Sequence, residues 1–488
     1  MRLLTLGTEY ESFLSDESFL RGSAELIFFP KTAEELSEAL KAAGKRNLSV
    51  TVQGSRTGLV GGAVPESGLV INLTQMDGTP VSYEEGGRHF LHVPAGTTLE
   101  RINSAAASFG CFFPPDPTEA SATIGGLYAS GAAGPSSLLY GSSSAYFRAL
   151  RWVTPAGDIW DIARGRFVFD EAGCPMPDGR KLCLSALSSP SPIGSCIPRK
   201  GEDLIDFLAG SEGKLGVAAG FTLCLLPLPA AKWGVLFFFP DDNSVFSFAA
   251  SLEPLHKPGS DAALVCAEYF DSGALRLLSS VKGQNFSLKG MPDFPPDSSS
   301  AVYTELSGND EDKLEAVLSG LLDIFIKAGG READAWAEQG AAAVCRLRAL
   351  RHALPEATAN FQSFLNPDGS RPLRLETDFT GPKEKFADYI RMYRDDMEDA
   401  GFEGIVYGDI LENRLHTSFF FDSQKRRGDA EALIARWALR TAEDGGLIAS
   451  ENGIGKLKTG LINTLLPGCV KDSREKIRDF FDPERRLV

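Results

Sequence analysis

Hydrophobic positions along the chain repeat with two periods, and the change from one period to the other predicts the order of strands and helices. Continuous apolar runs at 69–73 and 235–239 are typical of buried strands. Apolar residues three and four apart at 36–43 predict an amphipathic helix that ends at Gly44. Thr32 is its predicted N-cap, and Glu35, three residues later, completes a capping box.

Three glycine-rich segments interrupt this pattern in the first half of the chain, with predicted strands around them. The segments cover 53–65, 122–134 and 210–217, and the strands cover 48–52, 149–154 and 220–226. Glycine lets the backbone approach a ligand closely, and consecutive N–H groups in such a loop form an anion-binding nest. A single glycine-rich loop is more often a surface turn. For the second segment, a ligand lying along the backbone explains the small residues better than packing does.

From Trp233 onward, strands alternate with amphipathic helices. The predicted elements are strands at 235–239, 263–269, 301–306 and 404–408, and helices at 313–327, 341–354 and 383–399. The proline- and serine-rich stretch 291–300 predicts a surface loop.

Composition narrows the classes of protein. At 488 residues the chain is long enough for two or three domains, and 43% hydrophobic residues against 23% charged ones are typical of a globular protein. A net charge of −16 argues against nucleic acid as a partner. No apolar run is long enough for a transmembrane helix, and the acidic N-terminus does not resemble a signal peptide. Eight scattered cysteines without a C-x-x-C pair predict reduced thiols and a cytoplasmic location.

The glycine-rich motifs occur in a definite order. The chain reads GSRTGLVGGAVP at 54–65, FFPPDPTEASATIGG at 112–126, VTPAGD at 153–158 and GSEGKLGV at 210–217. This order resembles the PCMH-type flavoproteins of the vanillyl-alcohol-oxidase superfamily, in the branch of D-lactate dehydrogenase, D-2-hydroxyglutarate dehydrogenase and the glycolate oxidase FAD subunit. The resemblance implies an α+β fold. A two-subdomain FAD-binding domain would cover 1–226, a ferredoxin-like substrate cap 227–425, and a C-terminal helical segment returning to the FAD domain 426–488.

The resemblance also implies FAD as the cofactor, with its pyrophosphate on the first loop. Some family members attach the flavin through a histidine in that loop or through a cysteine just before the second segment. The first loop has no histidine and Cys111 lies too far upstream of Gly125, so FAD is expected to be noncovalent. The implied cofactor-binding residues are Gly54, Ser55, Arg56, Thr57, Gly58, Gly61, Gly62, Pro115, Asp116, Thr123, Gly125, Gly126, Ser130, Gly134, Tyr140, Gly141, Glu212, Gly216 and Val217.

Three arginines, Arg346, Arg348 and Arg351, cluster on one predicted helix of this acidic chain. Such a cluster is commonly a solvated basic face. A planar guanidinium is also suited to holding a carboxylate through two hydrogen bonds. Arg351 stands where the family has a substrate-binding arginine, so the resemblance implies that it binds the substrate carboxylate. Glu376 stands where the family often has a lysine, which leaves the substrate's second polar group open.

A divalent metal is the next implication of the resemblance. The family motif Gly-His-x-Gly-Asp-Gly-Asn-x-His corresponds to 408–416, where Asp409 replaces the first histidine and His416 keeps the second. Glu451 stands at the third ligand position. Together these residues would suit Zn, Mn or Fe, and a single imidazole favours a harder ion. Alternatively, Asp409 only ends a strand and His416 lies on the surface.

The resemblance does not carry over a general base. Asn452 replaces the family histidine that takes the hydroxyl proton, and an amide cannot act as a base. His352 or His416 could take that role, a metal could acidify the hydroxyl, or the chemistry could differ. The candidate catalytic residues are Arg351, His352, His416 and Asn452.

Two functions remain open from the sequence. The first is FAD-dependent oxidation of a small D-2-hydroxy acid, of the lactate, glycolate or 2-hydroxyglutarate type, by hydride transfer to flavin N5. Electrons would then pass to a separate electron-transfer protein or quinone, because the chain lacks cluster-binding cysteines. The second is an FAD-binding subunit of a multi-subunit, glycolate-oxidase-like complex, and Asn452 and Glu376 favour this alternative.

Overall fold

The computed structural model describes residues 3–488, apart from 185–186, 188–192, 194–196, 256–259, 284, 286–287, 290, 361–372 and 422–425. In chain order the strands are β1 Leu4–Thr5, β2 Leu26–Phe28, β3 Val50–Gln53, β4 Leu69–Asn72, β5 Val81–Glu85, β6 Arg88–Pro94, β7 Cys111–Phe112, β8 Phe147–Val153, β9 Ile159–Ala163, β10 Cys174–Pro175, β11 Lys181–Leu182, β12 Val217–Cys224, β13 Leu226–Pro227, β14 Ala231–Phe239, β15 Ala262–Asp271, β16 Ser300–Gly308, β17 Ala335–Gln339, β18 Leu373–Thr380, β19 Glu403–Asp409 and β20 Arg414–Phe421. The α-helices are α1 Ala33–Lys45, α2 Leu99–Ala107, α3 Ile124–Ser130, α4 Ser137–Tyr140, α5 Leu204–Leu208, α6 Asp242–Leu252, α7 Ser272–Val281, α8 Glu311–Lys327, α9 Ala341–Asn360, α10 Phe386–Asp399, α11 Arg427–Glu443, α12 Gly455–Leu465 and α13 Gly468–Phe481.

The chain divides into two compact units. The first contains 1–134, 142–228 and 451–488, and the second contains 135–141 and 229–450. The division after Leu228 lies close to the predicted boundary at 226. Helix α11 stays in the second unit, so the chain returns to the first unit at Glu451, beyond the predicted boundary at 426.

Two sheets form the frame of the first unit. One has the order β1-β2-β4-β3, in which β2 and β3 both run parallel to β4, and the other has the order β5-β6-β12-β8-β9. Helix α1 connects β2 to β3. The Glu35 N–H donates to Thr32 Oγ1 at 3.2 Å, as the capping box predicts, but the Glu35 carboxylate accepts from the Lys31 N–H at 2.7 Å. The helix ends at Lys45, one residue beyond the predicted end at Gly44.

A seven-stranded sheet, in the order β17-β14-β16-β15-β19-β20-β18, is the frame of the second unit. The four strands predicted from apolar runs are β14, β15, β16 and β19, each longer than predicted. Leu236 and Phe238 of β14 pack with helices α7 and α9 on one face of the sheet. On the other face, Phe237 and Phe239 pack with Phe248 of α6 and Phe325 of α8. Since successive strand residues point to opposite faces, burial of both faces explains the unbroken apolar run.

Candidate functional site

The first glycine-rich loop follows β3 and presents unused backbone donors. The N–H groups of residues 55–59 donate no hydrogen bond within the described part of the chain. A Cβ added at Gly58 or Gly62 would meet nothing within 4 Å, so space lies beside the loop. The Ser55 hydroxyl donates to the Ser121 carbonyl at 2.8 Å, which places the loop against the second glycine-rich segment. A row of donors beside open space fits the pyrophosphate of FAD.

The second segment forms the short helix α3, capped by the Thr123 hydroxyl, which accepts from the Gly126 N–H at 3.3 Å. A Cβ at Gly125 would lie 2.9 Å from the Ala95 carbonyl oxygen, and one at Gly134 would overlap the backbone of Asp116. The interpretation that a ligand explains this segment better than packing is therefore wrong for Gly125 and Gly134. Backbone contact alone requires glycine at both positions.

Two non-glycine residues in the predicted FAD segments, Arg56 and Glu212, adopt positive φ angles of 63° and 53°. Such conformations cost about 1 kcal/mol or more each, and they cluster at ligand sites. The Arg56 guanidinium lies 4.4 Å from the centroid of the Phe13 ring and donates to the Ser12 carbonyl. Its pKa is lowered by burial. The surrounding contacts therefore hold Arg56 in one position at the loop.

Glu212 connects the third glycine-rich segment to the chain after Glu451. Its Oε1 accepts from the Ile454 N–H and, at 2.8 Å, from the Gly455 N–H, while Lys214 Nζ donates to Oε2 at 2.8 Å. Burial acts to raise the pKa of Glu212, but Lys214 and the two N–H groups outweigh it and hold the pKa below its ordinary value.

The same C-terminal segment also contacts the first loop. The Val60 carbonyl accepts from the N–H groups of Lys456 and Leu457 at 2.8 and 3.1 Å. The stretch that begins with Glu451 and Asn452 is thus held within the first unit, between the first and third glycine-rich segments.

The predicted cofactor-binding residues do not all lie in one unit. Tyr140 and Gly141 belong to the second unit, where α4 packs on β15, and the others lie in the first unit. At Gly216 a Cβ would overlap the indole of Trp152, so packing explains that glycine.

Arg351 lies on α9, which covers one face of the seven-stranded sheet of the second unit. This sheet is called the second sheet from here on. It is 5% exposed, and its Nε donates at 2.6 Å to Oε2 of Glu268, a residue of β15. The guanidinium carbon also lies 4.9 Å from the centroid of the Tyr407 ring. A buried charge of this kind must be paired, and Glu268 supplies the partner.

The other two arginines of α9 have different surroundings. Arg346 donates to Glu338 at 2.8 Å on the surface, as expected of a solvated basic face. Arg348 donates through two nitrogens to Glu305, whose Oε1 also accepts from the Tyr303 hydroxyl at 2.7 Å. Of the three arginines, Arg351 is the most buried.

His416 lies on β20, beside Tyr407 on β19. The two rings stack with centroids 5.0 Å apart, and His416 is 8% exposed, so the alternative that it lies on the surface is wrong. Asp378 of β18 is its cross-strand partner on the other side. Arg351, Tyr407, His416 and Asp378 thus form a continuous row of polar and aromatic side chains. His352 is half-buried on α9.

Asp409 is the last residue of β19, the position that the alternative without a metal predicted for it. Its Oδ1 accepts from the Glu412 N–H at 2.6 Å, whereas its Oδ2 is buried without a hydrogen-bond partner among the described residues. Burial, and then the carboxylates of Glu412 and Glu268, raise the pKa of Asp409 to about 8. The side chain is therefore mainly neutral at pH 7.

The predicted metal ligands are distributed over both units. Asp409 and His416 lie diagonally on one face of β19 and β20, and Glu451 belongs to the first unit. No group of three or more His, Cys, Asp or Glu side chains among the described residues is arranged to hold a metal ion. The described residues therefore do not show a site for the predicted metal.

Glu376 lies on β18, and its Oε1 accepts from the Ser418 hydroxyl at 2.7 Å. Its Oε2 lies 3.3 Å from a guanidinium nitrogen of Arg374. The negative charge that replaces the family lysine is therefore held by neighbours on the sheet.

Sequence reasoning missed Glu268 and Tyr407. A usable signal existed for Glu268, because it is the single charged residue before the terminal Asp271 in the apolar strand Ala262–Asp271. An acidic residue in a buried strand requires a cationic partner.

Comparison with known proteins agrees with the fold. Residues 24–163 match the family model described as FAD binding domain, and residues 236–487, more than half of the chain, match that of FAD linked oxidases, C-terminal domain. Alkyldihydroxyacetonephosphate synthase has a similar structure, with a TM-score of 0.62 at 16% identity over 96% of this chain and 76% of that one. This likeness confirms the predicted PCMH-type fold.

Relatives with assigned names are similar over nearly the whole chain. A D-lactate dehydrogenase of Anaerostipes hadrus is 24% identical, covering 98% of this chain and 91% of its own. A D-lactate dehydrogenase of Archaeoglobus fulgidus is 26% identical, covering 95% and 90%. The mitochondrial D-2-hydroxyglutarate dehydrogenase of Rattus norvegicus is 26% identical, covering 95% and 77%.

No helix in the described part of the chain is long and apolar enough to cross a membrane. The cytoplasmic location stays a prediction. The donor row of the first loop, the fold and both family matches agree on the cofactor, and the chain belongs to the FAD-linked oxidases, a family of flavin-dependent oxidoreductases.

Proposed function

We propose that this protein is an FAD-dependent dehydrogenase that oxidises a small D-2-hydroxy acid to the corresponding 2-oxo acid. The observation that carries the proposal is Arg351, a buried guanidinium held against the second sheet by Glu268 and Tyr407. A planar guanidinium in such a place is suited to a carboxylate. Relatives named D-lactate and D-2-hydroxyglutarate dehydrogenase support this substrate class.

In this proposal each part of the chain has one task. Bound FAD supplies the two-electron acceptor, and the first loop holds its pyrophosphate through the N–H groups of 55–59. Arg351 holds the substrate carboxylate. His416 takes the hydroxyl proton, because it is an imidazole in the same row as Arg351, whereas the Asn452 amide has no basic site. The electrons then leave to a separate electron-transfer protein or quinone. No step is assigned to a divalent metal.

Anaerobic flavin reduction tests the proposal. The FAD-loaded protein is mixed with D-lactate, glycolate or D-2-hydroxyglutarate, and bleaching of the flavin absorption is recorded. We expect at least one acid to reduce the flavin. Arg351→Lys keeps the charge but loses the planar pair of donors. The rate constant of flavin reduction divided by the half-saturating substrate concentration should therefore fall about ten- to a hundredfold. Arg346→Lys, on the surface of the same helix, is the matched control and should behave as wild type.

A second function is favoured by Asn452 and Glu376, where the chain departs from its family. As an FAD-binding subunit of a larger complex, the chain would bind flavin, but no 2-hydroxy acid would bleach it. That result in the wild-type protein contradicts the dehydrogenase proposal.

A further inference from the structure

Glu268 is a buried carboxylate at the centre of the second sheet. It lies on β15, opposite Tyr303 of β16 and Asp409 of β19. Its side chain is 3% exposed and accepts from Arg351 Nε at 2.6 Å. Separating the two groups would leave an unpaired buried charge, so the pair is costly to break.

The bond fixes the guanidinium of Arg351 along one edge. Since Nε donates to Glu268 and Tyr407 lies 4.9 Å from the guanidinium carbon, both the position and the plane of the group are constrained. A substrate carboxylate bound to Arg351 would therefore share this cation with the Glu268 carboxylate, and the two anions would repel each other.

We propose that Glu268 is a positioning residue with two opposed effects on the substrate site: it orients Arg351, and its charge weakens the binding of carboxylates. This inference rests on the proposed function of Arg351. Weaker binding of the carboxylate applies to both the 2-hydroxy acid and the 2-oxo acid, so it favours release of the product.

The two effects can be separated because they depend on different properties of Glu268. Gln can still accept the Nε hydrogen bond but carries no charge. Asp carries the charge but is shorter by one methylene, so it cannot hold Nε in the same position. For unit charges about 6 Å apart at an effective dielectric constant of about 20 to 40, the repulsion corresponds to roughly a ten- to hundredfold change in affinity.

Oxalate, a small carboxylate that the flavin cannot oxidise by hydride transfer, is the probe. It is titrated into FAD-loaded protein, and binding is followed by calorimetry and by the flavin absorption. Glu268→Gln should bind oxalate about ten- to a hundredfold more tightly than wild type, and should show a lower KM for the 2-hydroxy acid with a lower kcat. Glu268→Asp should bind oxalate at least about threefold more weakly, the effect of a misplaced charge-assisted hydrogen bond.

Glu305→Gln is the matched control. Glu305 is equally buried on the next strand, and its carboxylate pairs with Arg348 of the same helix. Its oxalate affinity should stay within about twofold of wild type. Equal effects of Glu268→Gln and Glu305→Gln would mean that burial of charge, and not position, controls binding, and would overturn the proposal.

Other outcomes are also decisive. If Glu268→Gln folds and binds oxalate no more tightly than wild type, the proposal is wrong. If it does not fold, an unchanged oxalate affinity of Glu268→Asp has the same consequence. Failure of every 2-hydroxy acid to reduce the wild-type flavin contradicts the proposed function instead, whereas reduction of wild type without tighter binding by Glu268→Gln contradicts only the role of Glu268.

Discussion

Asp409→Asn is expected to remove a pH dependence of stability that the wild-type protein shows. The folded state raises the pKa of Asp409 to about 8, because the carboxyl is buried near Glu412 and Glu268. Between pH 4 and 8 the folded protein therefore binds a proton that the unfolded chain releases. By linkage, the stability that this proton supplies is complete below pH 4 and is lost as the pH rises to 8.

The size of the effect follows from the pKa difference. The shift from 3.8 to about 8 is roughly four pKa units, which corresponds to on the order of 5 kcal/mol. In a unit of about 230 residues, this lowers the unfolding midpoint by about 10 to 20 °C. Asn has the shape of the neutral carboxyl, and its Oδ1 can accept the Glu412 N–H. At pH 8 the variant should therefore keep the stability that the Asp409 proton supplies to the wild-type protein only at lower pH.

Thermal unfolding of the FAD-loaded protein, between pH 5 and 9 with a chelator present, measures the effect. The wild-type midpoint should fall toward pH 8, and that of Asp409→Asn should stay higher at pH 8.5. Asp388→Asn, which removes an exposed carboxylate, is the control and should follow wild type. Parallel curves for wild type and Asp409→Asn, or a less stable Asp409→Asn at pH 8.5, would refute the reasoning.

The same experiment tests the predicted metal. If Asp409 binds Mn²⁺ or Zn²⁺, the added ion should raise the thermal unfolding midpoint of the wild-type protein at pH values above 7. It should leave the midpoint of Asp409→Asn unchanged. The donor set of the described residues leads us to expect equal curves with and without the ion.

Further substitutions check other parts of the structure. Gly58→Ala should weaken FAD binding at least about tenfold without changing the stability of the FAD-free protein, because its Cβ enters the open space beside the donor row. Gly54→Ala should also lower stability, since its Cβ overlaps the Thr123 hydroxyl. Fluorescence titration with FAD measures the binding, and thermal unfolding measures the stability. Glu212→Ala should cost about 2 to 4 kcal/mol at pH 7 and speed hydrogen exchange at Ile454 and Gly455, and unchanged exchange would contradict its anchoring role. As the pH falls through the lowered pKa of Glu212, the folded state of the wild-type protein should also lose stability. Thr32→Ala should cost about 1 kcal/mol in denaturant unfolding.

Local patterns in the sequence predicted the elements whose signals are local. The Thr32 cap, the four apolar strands of the second sheet and the order of the glycine-rich segments all depend on residues close together in the chain. The motif order also indicated FAD, because a pyrophosphate is held mainly by backbone N–H groups of one short loop. Strands β17 and β20 were missed, since polar residues such as Arg414 and His416 interrupt their apolar pattern.

Only the tertiary structure decided what the charged residues do. The sequence places Arg346, Arg348 and Arg351 within six positions, yet Glu338, Glu305 and Glu268 pair with them from three different strands. Burial and electrostatic neighbours set the charge of a group, and both depend on residues far apart in the chain. For that reason the sequence could nominate Asp409 as a metal ligand, whereas only the fold shows that its carboxyl is buried beside Glu412 and Glu268, which raises its pKa.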